Sequence, residues 1–212
     1  MSQSTPFDQL VYFADPMCSW CYGFGPAIRA FAKSHAGLKL SLVMGGLRPY
    51  TREPMLPAQK KQIRGHWQHV QEASGKMFND ALLMQKGFIY DTEPASRAVV
   101  TARSMQHLDL ISFLEALSTA FYRDARDVTK ADILAEIATE NNLDRANFLS
   151  ALESIEMREA VKADFSLSQS LGIQGFPTLC AGRDKELHVI TSGYTSAKTV
   201  EDRFRQLCAQ TK

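Results

Sequence analysis

Cys18 and Cys21, separated by two residues, are the part of this sequence best suited to chemistry. They lie in the stretch Asp15-Pro16-Met17-Cys18-Ser19-Trp20-Cys21-Tyr22-Gly23-Phe24-Gly25-Pro26, directly after the apolar run Leu10–Ala14. Two thiols at this spacing either form half of a zinc site or cycle between dithiol and disulfide. Zinc needs a second pair of Cys or His ligands. Cys180 and Cys208, the remaining cysteines, lie 28 residues apart with no partner at regular spacing. A Cys-x-x-Cys where a strand hands over to a helix is instead a dithiol redox signature. Position supplies the chemistry: at a helix start, unpaired N–H groups and the helix dipole favour thiolate over thiol. Cys18, at the tip, is then the attacking sulfur and Cys21, about one turn further in, the resolving one. Exchange would pass through a mixed disulfide at Cys18 that Cys21 opens.

The elements that must hold this stretch follow from apolar patterning. Leu10–Ala14 reads as a strand buried on both faces. A helix is predicted from about Ser19 to Ala36, with Phe24, Ile28, Phe31 and Ala32 at helical spacing, a kink or break at Pro26, and a stop at Gly37. Leu38–Met44 alternates and reads as a second strand. Strand, helix and strand at this length make a right-handed βαβ unit with parallel strands. From about Pro57 to Gly172 the pattern is helical, with five or six helices expected. Starts are predicted near Gln59, Glu93-Pro94, Asp109, the Thr129-x-x-Asp132 capping box, Asp144 and Met157. Strand signals return at Pro177–Ala181 and Glu186–Thr191, joined by a turn at Gly182–Lys185, before a last helix over about Ser196–Ala209. The order βαβ, helices, ββα is that of an α/β thioredoxin-like fold interrupted by an α-helical insertion. It divides the chain into 1–47 with 170–212, the split thioredoxin-like domain, and 48–169, the insertion.

Other residues have plainer readings. Asp15 could accept a proton from Cys21, but a turn residue before Pro16 is favoured. Trp20 either presents an apolar face to a substrate near the sulfurs or packs against the insertion. His66 and His69, with Glu72 one turn on, could ligate a metal, but Lys60, Lys61 and Arg64 mark a solvated basic face. Cys180 and Cys208 read as small buried hydrophobes. A strand-entry proline is the plain reading of Pro177 in Gly175-Phe176-Pro177-Thr178, with an edge or a cis turn as the settings that permit it.

The composition is that of an ordinary globular protein: 212 residues, 45% hydrophobic, 22% charged, with a net charge of +1. That balance gives no reason to expect nucleic acid or an anionic membrane as partner. The polar N-terminus, Met1 to Asp8, has neither the basic nor the apolar region of an export signal. No apolar run approaches the roughly 18 residues of a membrane helix. A cytoplasmic location is expected, where ordinary thiols stay reduced.

With Asp-Pro-x-Cys-x-Trp-Cys-x-Gly after the first strand, a helical insertion and a late Phe-Pro-Thr, the sequence resembles thioredoxin-fold oxidoreductases of the DsbA family. It is most similar to a cytoplasmic branch described as protein-disulfide isomerase or DsbA-like. The resemblance implies that Pro177 is cis and lies beside the two cysteines, with the Phe176 backbone pairing with an extended substrate. It implies catalysis by Cys18 and Cys21 on protein or peptide thiols and disulfides, in a groove between the helix tip, the Phe176-Pro177 turn and the insertion. Trp20, Phe176 and Pro177 would contact substrate. No metal or organic cofactor is implied, and glutathione could serve as co-substrate. The dipeptide Ser19-Trp20 brings no fixed cation, so the direction of electron flow stays open. Two other classes remain: a glutathione-dependent isomerase or transferase acting on a small hydrophobic substrate, and a binding module or holdase without turnover.

Overall fold

The computed structural model describes residues 5–107, 109–184 and 186–211. The Met1–Ser4 part of the polar N-terminus and Lys185 of the predicted turn lie outside the described residues. Strands β1 (Gln9–Ala14), β2 (Lys39–Met44), β3 (Thr178–Arg183) and β4 (Glu186–Ser192) form one sheet in the order β2-β1-β3-β4. β1 and β2 are parallel, β1 and β3 antiparallel, and β3 and β4 antiparallel. Helix α1 (Ser19–Ser34) crosses from β1 to β2, and α9 (Ala197–Gln210) closes the chain. Between β2 and β3 come α2 (Pro57–Ser74), α3 (Ala81–Met84), α4 (Glu93–Ser104), α5 (Leu110–Tyr122), α6 (Ala131–Glu140), α7 (Arg145–Glu153) and α8 (Ile155–Ser170). This is the mixed α/β, thioredoxin-like arrangement expected, with seven helices rather than five or six among the described residues between β2 and β3.

β1 is central because its sequence can be buried on both faces; Leu10, Tyr12, Phe13 and Ala14 are all fully buried. Alternate residues feed two clusters. Leu10, Tyr12 and Ala14 join a core that runs through α1 into α2, α4, α5 and α7. Val11 and Phe13 join Val43 and Cys180 on the opposite face of the sheet. The helices are thus packed on the sheet through one continuous apolar core. Among the described residues, no helix is long and apolar enough to cross a membrane.

Helix starts follow their caps. The side chains of Asp109, Asp144, Ser154 and Ser196 each accept a first-turn N–H, opening α5, α7, α8 and α9. Three local expectations fail. The Thr129-x-x-Asp132 capping box does not form: Thr129 turns its hydroxyl to Asp127 at 2.6 Å, and α6 is capped from Lys130 with no side-chain bond. Helix α1 ends at Ser34, ahead of Gly37, where the His35 N–H closes on the Phe31 carbonyl. Pro26 does not interrupt α1. The residue before it is Gly25, which lacks the Cβ that a proline ring would strike. A Cβ at Gly25 would also lie 2.2 Å from a Glu115 carboxylate oxygen.

One ion pair fastens the C-terminal end of β2, from which the chain runs on to Leu47 and Arg48. Asp164 of α8 accepts from both terminal nitrogens of Arg103 in α4, at 2.9 and 2.8 Å, and from the Met44 N–H at 2.9 Å. Arg103 also donates to the Leu42 carbonyl at 2.8 Å. Asp164→Ala strands both donors. It is expected to lower the unfolding free energy by ~3 kcal/mol, read from urea denaturation midpoints. Asp164→Asn, which keeps one acceptor, should lose less.

Candidate active site

Cys18 is the N-cap of α1, with φ −95° and ψ 116°, and no side chain caps the helix. The first-turn N–H groups are therefore left for the Cys18 sulfur, against the positive end of the helix dipole. Cys18 Sγ donates to the Phe176 carbonyl at 3.5 Å, across 158 residues of sequence. The Phe176–Pro177 peptide bond is cis. Thr178 Oγ1 donates to the Gly175 carbonyl at 2.8 Å and closes that turn. The Phe176 ring lies against β2's exit: a Cβ on Gly45 would sit 2.0 Å from ring carbons. Only glycine there lets the ring, and hence the carbonyl beside Cys18, approach so closely.

Burial does not separate the two cysteines as the helix-tip picture suggested. Cys18 is 5% exposed and Cys21 4%. What separates them is the opening: Cys18 lines a groove of about 400 Å³ and Cys21 does not. Burial pushes the Cys21 thiol well above its ordinary pKa, and the neighbouring Cys18 adds to this. Both thiols are free. Beneath them lies Tyr12, whose fully buried hydroxyl makes no hydrogen bond among the described residues. Burial, then the charges of Cys21 and Cys18, push its ionisation well upward.

The turn before the cysteines is held from three sides. Asp15 Oδ1 accepts the Met17 N–H at 2.8 Å, and Asp15 Oδ2 accepts the Leu47 N–H at 2.8 Å. The Cys18 N–H closes on the Asp15 carbonyl at 3.0 Å. From the helical side, the hydroxyls of Tyr90 and Tyr122 both reach the Met17 carbonyl, at 2.7 and 2.5 Å, and Ser118 donates to the Pro16 carbonyl at 2.8 Å. A carbonyl has two lone pairs and can accept both tyrosines. Asp15 is thus a turn residue, as favoured, but a fully buried one. Burial pushes its pKa up to about 6, partly offset by the Leu47 and Met17 N–H donors and the Thr92 hydroxyl.

The remaining candidates scatter. Trp20 is half-buried, lines the groove and stacks at a tilt on Tyr194, 5.4 Å between ring centroids. His66 lines the groove, whereas His69 is exposed elsewhere on α2. Among the described residues no three His, Cys, Asp or Glu gather as a metal site. Cys180 is buried on the far side of the sheet, its pKa pushed up to about 11 by burial. Cys208 is only partly buried, so it is not the core residue expected; its sulfur sits 3.6 Å from Thr5 Oγ1. Sequence reasoning missed Tyr90, Tyr122 and Arg48. It also missed the inner face of α2, where Gln59, Gln62, Ile63, His66 and Trp67 line the groove. Their i, i+3, i+4, i+7 and i+8 spacing was the available signal.

Residues 9–205 match the DSBA-like thioredoxin domain. A structure from Nitrosomonas europaea, described as a candidate protein disulfide isomerase, is 33% identical, with a TM-score of 0.89 over 95% of this chain and 97% of that one. The cytosolic disulfide reductase DsbM from Pseudomonas aeruginosa is 25% identical, with a TM-score of 0.76 over 95% and 98% of the two chains. The same protein with GSH matches in fold at 24% identity and a TM-score of 0.75. The ClpXP adapter protein SpxH of Bacillus licheniformis is 23% identical over 81% of this chain. This chain spans 56% of the length of that curated relative.

The buried Asp15 has a measurable signature. Its folded pKa of about 6 lies above the ordinary value of 3.8, so the folded state holds this proton more tightly. Its contribution to stability is full below pH ~4 and is lost as pH rises through ~6. Relative to Asp15→Asn, the wild type should therefore lose stability between pH 4 and 6, measured by urea unfolding across that range. A flat difference would contradict the buried, protonated carboxyl.

Proposed function

The chain belongs to the DSBA-like thioredoxin domain family, and from that premise we propose that it is a thiol–disulfide oxidoreductase working through the Cys18–Cys21 dithiol. The observation that carries this reading is the approach of Cys18 Sγ to the Phe176 carbonyl, 3.5 Å, at an uncapped helix N-terminus that opens onto a groove. Its substrates are protein or peptide disulfides and dithiols, with glutathione as a co-substrate. DsbM, 25% identical, is a cytosolic disulfide reductase whose structure with GSH shares this fold, which supports the same compartment and co-substrate here.

The exchange balances without metal or organic cofactor. The Cys18 thiolate attacks one sulfur of a substrate disulfide, forming a Cys18 mixed disulfide and releasing one substrate thiolate. Cys21, deprotonated, attacks Cys18 Sγ and releases the second substrate thiolate, leaving the Cys18–Cys21 disulfide. The substrate gains two electrons and two protons; the enzyme loses them. Two glutathione thiols reverse the change in the enzyme and become one glutathione disulfide. The raised pKa of Cys21 makes its deprotonation the demanding part of resolution. The same steps run backward oxidise a substrate dithiol. Trp20, Phe176 and Pro177 contact the substrate segment, with the Phe176 backbone as its pairing edge. Residues 48–169 act as the insertion that supplies the opposite wall.

Cys18→Ser is expected to abolish both insulin reduction and dithiol oxidation. Cys21→Ser should retain attack but stall, accumulating a Cys18 mixed disulfide with glutathione detectable by intact mass. Turnover surviving Cys18→Ser would remove the dithiol mechanism. Turnover surviving Cys21→Ser with a tight glutathione site would point instead to a glutathione-dependent isomerase or transferase.

A further inference from the structure

Arg48 stands at the groove beside Cys18 with its charge unspent. Its side chain makes no ion pair and donates no hydrogen bond among the described residues. The guanidinium lies over the Tyr90 ring, 5.6 Å from its centroid, the same ring whose hydroxyl holds the Met17 carbonyl. Its backbone is fixed on both sides. The Arg48 N–H donates to Thr92 Oγ1 at 3.1 Å, while its carbonyl accepts the Thr92 N–H at 3.3 Å and the Thr51 hydroxyl at 2.9 Å. One residue earlier, Leu47 is tied to Asp15.

Among the described residues no carboxylate forms an ion pair with that charge. The groove is lined by Arg48 and His66 but by no Asp or Glu. The nearby acids are already engaged. Asp15 accepts from Met17 and Leu47, Asp91 accepts from the Tyr50 and Glu93 N–H groups, and Glu93 pairs with Arg97. Gln59, Gln62 and His66 add polar groups along α2, and Trp20, Ile63 and Trp67 add apolar surface. A volume of about 400 Å³ is at the small end of the ~300–1,000 Å³ typical of ligand sites.

We propose that Arg48 is the specificity residue of this groove and selects small disulfides and thiols that carry a carboxylate, of the size of an acidic tripeptide. This rests on the reading of Cys18 as the exchanging thiol. Arg presents a planar fork that pairs bidentately with a carboxylate. A backbone already fixed lowers the ordering cost of binding. A carboxylate clamped by Arg48 places the disulfide of the same molecule over Cys18.

The kinetic test compares oxidised glutathione, its carboxylate-esterified form and cystamine, a cationic disulfide, as oxidants of the reduced protein. The wild type should prefer oxidised glutathione to both. In Arg48→Gln the kcat/KM ratio of oxidised glutathione to cystamine should fall about tenfold, equivalent to ~1.4 kcal/mol. In Arg48→Glu the preference should invert, and added salt should erode the wild-type preference. An unchanged ratio in Arg48→Glu, with an unchanged urea midpoint, overturns the proposal. A response confined to a pair of peptide disulfides flanked by Glu or by Lys overturns the assignment to a small substrate. A binding test separates this inference from the exchange reading. S-methylglutathione, which cannot exchange, should bind the Cys18→Ser protein at least tenfold more tightly than the Cys18→Ser, Arg48→Glu protein by calorimetry. That difference supports the Arg48 assignment even if Cys18 proves dispensable for turnover; equal binding counts against it.

Discussion

The two hydrogen bonds accepted by the Asp15 carboxyl join what would otherwise be separate parts. One oxygen takes the N–H of Met17, in the turn that delivers Cys18, and the other takes the N–H of Leu47, in the segment leaving β2. The group is fully buried, where an unpaired polar atom is costly, so both bonds are needed together. A single side chain thereby ties the turn that delivers Cys18 to the segment that leaves β2. Its raised pKa is the electrostatic cost of that arrangement: burial disfavours the carboxylate, and the charge of Asp91 adds to this.

The helices between β2 and β3 complete the constraint rather than ornament the sheet. Tyr90, Ser118 and Tyr122 donate to two consecutive carbonyls, Pro16 and Met17, immediately before Cys18. Burial raises the pKa of both tyrosines, so they remain protonated donors across the pH range in which thiols exchange. Aromatic packing fixes the donors in turn: Tyr122 stacks on Tyr22 of α1, 5.2 Å between centroids, and meets Trp67 of α2 edge-on at 5.1 Å. The helical layer thus grips both the loop and the helix that carry the cysteines.

Much of this was legible in the residues. The alternation in β2, the double burial of β1 and the caps at Asp109, Asp144 and Ser196 are local signals, and local signals survive folding. The pair Cys18 and Cys21 stood out as a candidate dithiol through spacing and position. The Phe176-Pro177 turn did not; only the resemblance to a family tied it to the cysteines, because nothing local reports the contact of Cys18 with Phe176 across 158 residues. Thr129 misled because Asp127 offered its hydroxyl a nearer partner than the helix did. Tyr90, Tyr122 and Arg48 left no trace in the pattern. Their partners are backbone carbonyls and an aromatic ring, which any sequence contains and which only the fold brings within reach. On α2 the charged outer face drew attention from the inner face that lines the groove.

The glycine at position 45 has a meaning beyond tight packing. The distance between the cysteine side of the site and the Phe176 side is gauged by an atom that is missing. A ring rests where a methyl would otherwise stand, only 2.0 Å from it. The gap between Cys18 and the Phe176 carbonyl is thereby coupled to β2, a strand that contributes no group to that contact. Variation at this silent position would act as a spacer, resetting how wide the site opens while every residue with recognisable chemistry stays the same.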